Sequence, residues 1–164
     1  GMKGTEGPKE IDGDKELLTR LEAIRGAAAV AMGMAKSPEE ALEKIPAFPM
    51  IAVVSQPQDY QSYTTGETIK AGDVSFVSRL MFMQVLHKTY AGTGTCCTGV
   101  AACIPGTVVA EVRAERPWGK QINIGHPSGV IDVEAEVIGD EVKRAAFART
   151  ARRIMEGYVW VEND

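Results

Sequence analysis

One stretch of the chain sets glycine, threonine and cysteine side by side: Gly92-Thr93-Gly94-Thr95-Cys96. A turn of this kind opening a helix leaves the first helical N–H groups without carbonyl partners, and the aligned peptide dipoles add about half a positive charge there. Glycine lets a carboxylate reach that backbone unobstructed, and Thr93 and Thr95 offer hydroxyl donors. The residue types alone suit a carboxylate-binding turn and a close-packed helix cap equally well. His126-Pro127-Ser128-Gly129 is a second candidate. Pro127 and Gly129 set a turn and Ser128 has a hydroxyl to donate to an anion; a plain β-turn is the competing reading. Cys96 falls in the first turn of the helix, where a thiol is acidified, and is a nucleophile or proton-transfer candidate. Cys97 and Cys103 read as small core residues. Adjacent cysteines followed by a third are not a zinc spacing, and only His87 and His126 are there to assist. His87 reads as structural. Arg149, Arg152 and Arg153 form a basic cluster, read as a solvated face with a carboxylate contact as the alternative.

Other elements must hold these residues in place. Residues 1–13 are Gly-rich and polar and read as a flexible segment, with Gly1 before Met2 set aside as a cloning remnant. A helix is expected from Asp14, with Leu17, Leu21, Ile24, Ala28 and Ala31 on one face and Gly33 at the C-cap. Ser37-Pro38-Glu39-Glu40 has the cap, proline and acids of a second helix start, and Pro46 stops it. Met50 to Val54 reads as a buried strand, followed by a polar loop to Gly72. A helix is expected from Asp73 or Ser75 to Tyr90, burying Val77, Leu80, Met81, Gln84 and Leu86. Between Gly92 and Ile104 almost no long polar side chain occurs, so that helix can sit inside the structure and admit close neighbours. Strands are expected at Thr107–Val112, Gln121–Ile124, Val130–Ile138, Val142–Ala148 and Arg153–Val161, with a turn at Gly139-Asp140. Residues 14–164 thus form a single domain of α+β class, its sheet wrapping the apolar helix.

Bulk composition narrows the function. A net charge of −4 without a basic run disfavours nucleic acid, whose phosphates need a basic face. No segment reaches the roughly 20 apolar residues of a membrane span, and no hydrophobic signal core opens the chain. Three cysteines, two of them adjacent, are not a disulfide framework and suit a cytoplasmic setting.

Taken in order, several segments resemble the PrpF family of isomerases: Ser75-Phe76-Val77, His87-Lys88-Thr89-Tyr90, Thr93-Gly94-Thr95-Cys96, Ile104-Pro105-Gly106-Thr107, Gly125-His126-Pro127-Ser128-Gly129 and Arg152-Arg153-Ile154-Met155-Glu156-Gly157. The first helix and the Ile51 to Pro57 strand match as well, so the resemblance runs from about residue 14 to residue 161, over what corresponds to the family's C-terminal half. It implies a diaminopimelate-epimerase-like domain, a mixed or antiparallel sheet curled around a central helix, with Gly94 to Ile104 as that helix. It implies a double-bond shift by proton transfer in unsaturated tricarboxylates, without metal or organic cofactor. The proton-handling Lys and Cys of the family belong to the other domain. Where epimerase relatives carry a second catalytic cysteine before Gly-Thr-Gly, this chain has Ala91, which argues against epimerase chemistry. The resemblance therefore carries over substrate binding by Gly92, Thr93, Gly94, Thr95 and Cys96 and by His126, Pro127, Ser128 and Gly129, with the catalytic residues unknown. The expected partners are a small tricarboxylate-like anion and a missing N-terminal domain or a second copy, and the isolated half is expected to be inactive. The alternatives are a non-catalytic assembly module that dimerises, or a thiol-dependent enzyme using Cys96 in a homodimeric cleft.

Overall fold

The structure, a computed structural model, describes residues 1–117, 120–139 and 141–162. Its N-terminal part is helical. Helix α1 (Pro8–Gly13) lies inside the segment read as flexible, and Ile11 within it is fully buried. Asp14 caps α2 (Lys15–Ala31) by accepting from the Leu17 amide, and Ser37 caps α3 (Pro38–Lys44) by accepting from the Glu40 amide, both as the residue types demand. Gly33 follows α2 at φ +70°, a left-handed conformation that suits glycine. The buried face of α2 differs from the expected one: Leu21, Arg25, Gly26 and Ala29 are buried, while Ile24 is half exposed. Arg25 turns inward because it has work there. It pairs with Glu22 at 2.6 Å and donates to the carbonyls of Phe48 (2.6 Å) and Ile45 (3.2 Å), joining α2 to the turn before the sheet.

The strands are β1 (Ile51–Ser55), β2 (Tyr60–Gln61), β3 (Thr68–Ile69), β4 (Phe76–Phe82), β5 (Val85–Leu86), β6 (Gln121–His126), β7 (Gly129–Ile138) and β8 (Glu141–Phe147). The main sheet runs β1-β4-β6-β7-β8, with β5 also pairing to β4. All its pairs are antiparallel except β4–β6, so the sheet is mixed. β2 and β3 form a separate small hairpin within the expected loop.

Three expected elements are corrected. The helix foreseen from Asp73 or Ser75 to Tyr90 is the β4–β5 hairpin. Phe76, Val77, Leu80 and Met81 suit one helix face by spacing, but they belong to a strand covered on both sides, in which Ser78 and Arg79 are buried too. A short apolar run does not separate these cases by periodicity. Met83 (φ 53°) and Gln84 (φ 60°) form the two-residue turn, both in the left-handed region that twisted hairpins require. The strand foreseen at Thr107–Val112 is helix α5 (Val108–Val112), because Thr107 caps it, accepting from the Ala110 amide at 3.1 Å. Residues 153–161 form no strand; residues 148–162 carry neither helix nor strand, and no described strand pairs with them. Of the expected Gly139-Asp140 turn, Gly139 is at φ +60° and Asp140 lies outside the described residues.

Helix α4 (Gly92–Ala101) follows the hairpin and packs on the sheet through its glycines. A Cβ on Gly94 would lie 3.0 Å from Leu80 Cδ2, and one on Gly99 2.7 Å from Val133 Cγ1. The core there joins Phe76, Leu80, Tyr90, Ile122, Ile124 and Val133. A second cluster on α1 and α2 takes Ile11, Leu21, Met81 and Leu86, so successive residues of β4 face different cores. Tyr90 adds a buried hydroxyl chain: its Oη meets Ser78 Oγ at 2.8 Å and Thr98 Oγ1 at 3.1 Å, linking β4 to α4.

Gly99→Val forces branched side chains together between a helix and a strand. Overpacking of this kind costs about 1–3 kcal/mol, and about 2–4 °C in melting temperature per kcal/mol for a chain of this size. A thermal melt of the variant is expected to show that loss, and Val133→Ala in the same chain to recover part of it.

Candidate functional site: the mouth of α4

In α4 the first helical hydrogen bond runs from the Thr95 amide to the Ala91 carbonyl at 2.7 Å. The amides of Gly92, Thr93 and Gly94 precede it and have no upstream helical acceptor. Gly94 is buried against Leu80, and the mouth of the helix borders a crevice of about 520 Å³ lined by Gly92, Thr93, Cys96, Phe147 and Arg149. The last two come from the end of β8 and just beyond it. The Arg149 guanidinium carbon lies 5.0 Å from the centroid of the Phe147 ring. Gly92 lets both side chains lie close to the backbone: a Cβ there would be 2.7 Å from Phe147 Cζ and 2.9 Å from Arg149 Nη2, and they would have to shift. The crevice thus combines unspent amides, a cation held on an aromatic face, an exposed Thr93 hydroxyl and a partly buried thiol. Such a set of donors suits a carboxylate.

Not every expected donor is available. Thr95 is fully buried and its hydroxyl donates to the Ala91 carbonyl at 2.9 Å, so it fixes the turn rather than a ligand. Cys97, read as core, is exposed. It lies four residues after the exposed Thr93, on the same stripe of α4. Cys103 is partly buried, its Sγ 3.8 Å from the Ala135 carbonyl and 3.7 Å from Arg113 Nη1. His87 stands after β5, not on a helix, and its Nδ1 accepts from the Thr89 amide at 3.2 Å.

The His126–Gly129 turn is built differently from the mouth of α4. Ser128 donates its only hydroxyl proton to the Lys88 carbonyl at 2.5 Å, which removes it as a donor to an anion. Tyr60 donates to the Gly129 carbonyl at 2.6 Å, Ser62 to the Ser128 carbonyl at 3.2 Å, and the Tyr63 amide to the Pro127 carbonyl at 2.7 Å. Pro127 is fully buried. The contact with Lys88 places the turn four residues from Gly92, but none of its residues lines the crevice.

Beneath this turn lies a group that sequence reading missed. Arg79 is 1% exposed, with Tyr60 stacked on it at 5.0 Å. Its Nε donates to the Glu6 carbonyl at 2.6 Å and its Nη1 to the Ser78 carbonyl at 3.0 Å. Burial pushes the Tyr60 phenol up to about 12. Burial, helped by Arg79 and His87, depresses the His126 imidazole to about 4, and its Nδ1 accepts from the Ser128 amide at 3.2 Å. A buried arginine in a strand gives no periodic signal, and only the loss of a clean alternation at Ser78-Arg79 could have hinted at it.

The depressed histidine sets a pH dependence of stability. Above its ordinary value of 6.5, His126 is neutral in both the folded and unfolded chain, and nothing is lost. As pH falls from about 6.5 toward 4, the unfolded chain takes up a proton that the folded chain refuses, so stability declines. The full loss, reached below about 4, is up to roughly 3 kcal/mol. Urea midpoints between pH 7 and pH 4.5 should fall more steeply for the natural chain than for His126→Asn, which keeps an acceptor but does not titrate. Equal slopes would show that His126 is not the group responsible.

Comparison with known proteins gives this geometry a context. The family model described as PrpF protein matches residues 1–162. The chain is 57% identical over 161 residues to the 3-methylitaconate isomerase of Eubacterium barkeri, covering 98% of this chain and 42% of that protein. It is 36% identical over 165 residues to the 2-methyl-aconitate isomerase of Shewanella oneidensis, covering 98% of this chain and 41% of that one. A crystal structure of methylitaconate-delta-isomerase superposes with a TM-score of 0.90 at 56% identity, over 96% of this chain and 41% of that one. The chain therefore spans about two-fifths of the length of these relatives. With a match along nearly its whole length in sequence and in fold, the chain belongs to the PrpF family.

Proposed function

We propose that this chain is the C-terminal, substrate-binding half of an isomerase that shifts a double bond by proton transfer in unsaturated di- or tricarboxylic acids of the methylitaconate and methylaconitate type. In this reading the domain is diaminopimelate-epimerase-like, and α4 is the central helix around which the sheet curls. The observation that carries it is the crevice at the start of α4, where Gly92, Thr93 and Arg149 line the same open volume. The names of the similar proteins, 3-methylitaconate isomerase and 2-methyl-aconitate isomerase, point to acids of matching charge.

The chemistry follows from the donors. Removing a proton beside a carboxyl-bearing double bond spreads negative charge onto the carboxylate oxygens. Fixed N–H dipoles and a guanidinium at those oxygens stabilise that charge as it develops. The proton itself needs an acid/base pair poised on either side of the carbon skeleton. The described residues at the mouth offer one such group, Cys96, and the reading assigns the proton-handling pair to the half that the relatives carry beyond the match. Arg149 and Thr93 hold and orient the acid.

Calorimetric titration of the chain with methylitaconate should show binding, and Arg149→Gln should weaken it about tenfold, as expected for one charge-assisted hydrogen bond. The same ligand should slow alkylation of Cys96 in a peptide-mapped assay while leaving the exposed Cys97 unprotected. Unchanged affinity in Arg149→Gln would remove the mouth of α4 as the site. The chain alone should not turn over methylitaconate or methylaconitate; measurable isomerisation would show that the acid/base pair is already present in it.

A further inference from the structure

One edge of β4 is shared by two strands that do not fill it. β6 pairs there at Phe76 and Val77, and β5 at Met81 and Phe82. The opposite edge is taken by β1 from Val77 to Met81. Ser78, Arg79 and Leu80 therefore have no strand partner on the shared edge, where both neighbours leave it. β6 ends at His126 and turns away. β5 runs on as residues 87–91, which lead into α4. The His87 amide still reaches the Leu80 carbonyl, at 2.8 Å. Lys88 and Thr89 are exposed, and the chain is next gripped at Tyr90, whose buried hydroxyl meets Ser78 and Thr98.

Ser128 spans the opening between the two departing strands. Its Oγ donates to the Lys88 carbonyl at 2.5 Å. Among the described residues this is the one hydrogen bond between the His126–Gly129 turn and residues 87–91. The turn can bear on Lys88 because it is itself fixed. Three successive carbonyls, those of Pro127, Ser128 and Gly129, accept from the Tyr63 amide, Ser62 Oγ and Tyr60 Oη. The Ser128 amide donates to His126 Nδ1 at 3.2 Å. A braced turn thus holds a stretch whose own side chains are in solvent.

We propose that Ser128 is a positioning residue for the acid-binding mouth of α4. Its bond to the Lys88 carbonyl fixes the path by which the chain enters the helix, and so the placing of Gly92 and Thr93 beside Arg149. The proposal deepens the reading of the crevice as an acid site and rests on it. Lys88 lies four residues before Gly92, and Tyr90 between them is anchored by its side chain rather than its backbone. Donors to a carboxylate work over a narrow range of about 2.7–3.2 Å, and a site holds its geometry only to within about 0.5 Å before function suffers. Freeing Lys88 moves the mouth against Arg149 and costs affinity, although Ser128 itself touches no ligand.

The test compares the natural chain with Ser128→Ala, which removes the hydroxyl, and Ser128→Thr, which keeps it. Backbone amide order parameters of residues 88–93, measured by NMR without ligand, should fall in Ser128→Ala from about 0.85 toward 0.6. Calorimetric titration with methylitaconate should show binding weakened about tenfold in the same variant, as for one lost hydrogen bond. Ser128→Thr should restore both. Unchanged order parameters with weaker binding would make Ser128 a direct ligand of the acid and overturn the positioning role. A lower melting temperature with unchanged affinity would reduce the bond to a structural one and overturn it too. If the natural chain binds no methylitaconate, the crevice reading fails separately, and the order parameters alone decide whether Ser128 holds the entry to α4.

Discussion

The structure depends on how closely α4 approaches the sheet. Where a side chain would stand, Gly94 and Gly99 leave only backbone, and Leu80 and Val133 fill the space. That contact brings one helix against β4 and β7, the two strands that flank β6 in the sheet. It also decides which way the helix opens. Thr95 is driven into the interior and ties the first turn to Ala91, while Gly92 and Thr93 are left at the surface beside the end of β8. The tight packing and the open mouth are two ends of one arrangement.

Much of this could be read from residue types. Caps announced α2 and α3, since Asp14 and Ser37 have few other uses before a helix. The glycines and small residues from Gly92 to Ala101 announced a closely packed helix, alternation announced β6 and β7, and β8 was expected as the strand returning after them. The failures share a cause. β4 lies between two neighbouring strands and two apolar layers, so every residue to Met81 is buried and no period survives to be read. At α5 one hydroxyl, that of Thr107, outweighs the β-propensity of paired valines. Ile24 on α2 was given to the core because it is apolar, whereas the place beside it went to Arg25, whose five donors meet two carbonyls and a carboxylate.

The site was half legible for a related reason. Sequence names groups able to donate, but only structure shows which protons are already committed. Ser128 and Thr95 have theirs assigned to the carbonyls of Lys88 and Ala91, and they shape the turns that others use. Arg149 stood out merely as one of three nearby arginines until Phe147 was seen to hold it over Gly92. Pattern had no means of pairing these residues, because their meeting requires β7 and β8 to be laid down first.

The parallel seam between β4 and β6 has a consequence for how the molecule comes apart. It consists of two residue pairs, Phe76 with Ile124 and Val77 with Gly125, reinforced by hydrogen bonds between Ser75 and Asn123. On one side of it stand the early helices with β1, β4 and β5, on the other the continuous β6-β7-β8 meander, and Tyr60, Ser62, Tyr63 and Lys88 tie the first part to the His126–Gly129 turn of the second. Joining them closes a span of about fifty residues, a late and entropically costly event compared with zipping either hairpin. Opening along the seam therefore also requires those hydrogen bonds to break, and α4, packed on both Leu80 and Val133, to part from one of them.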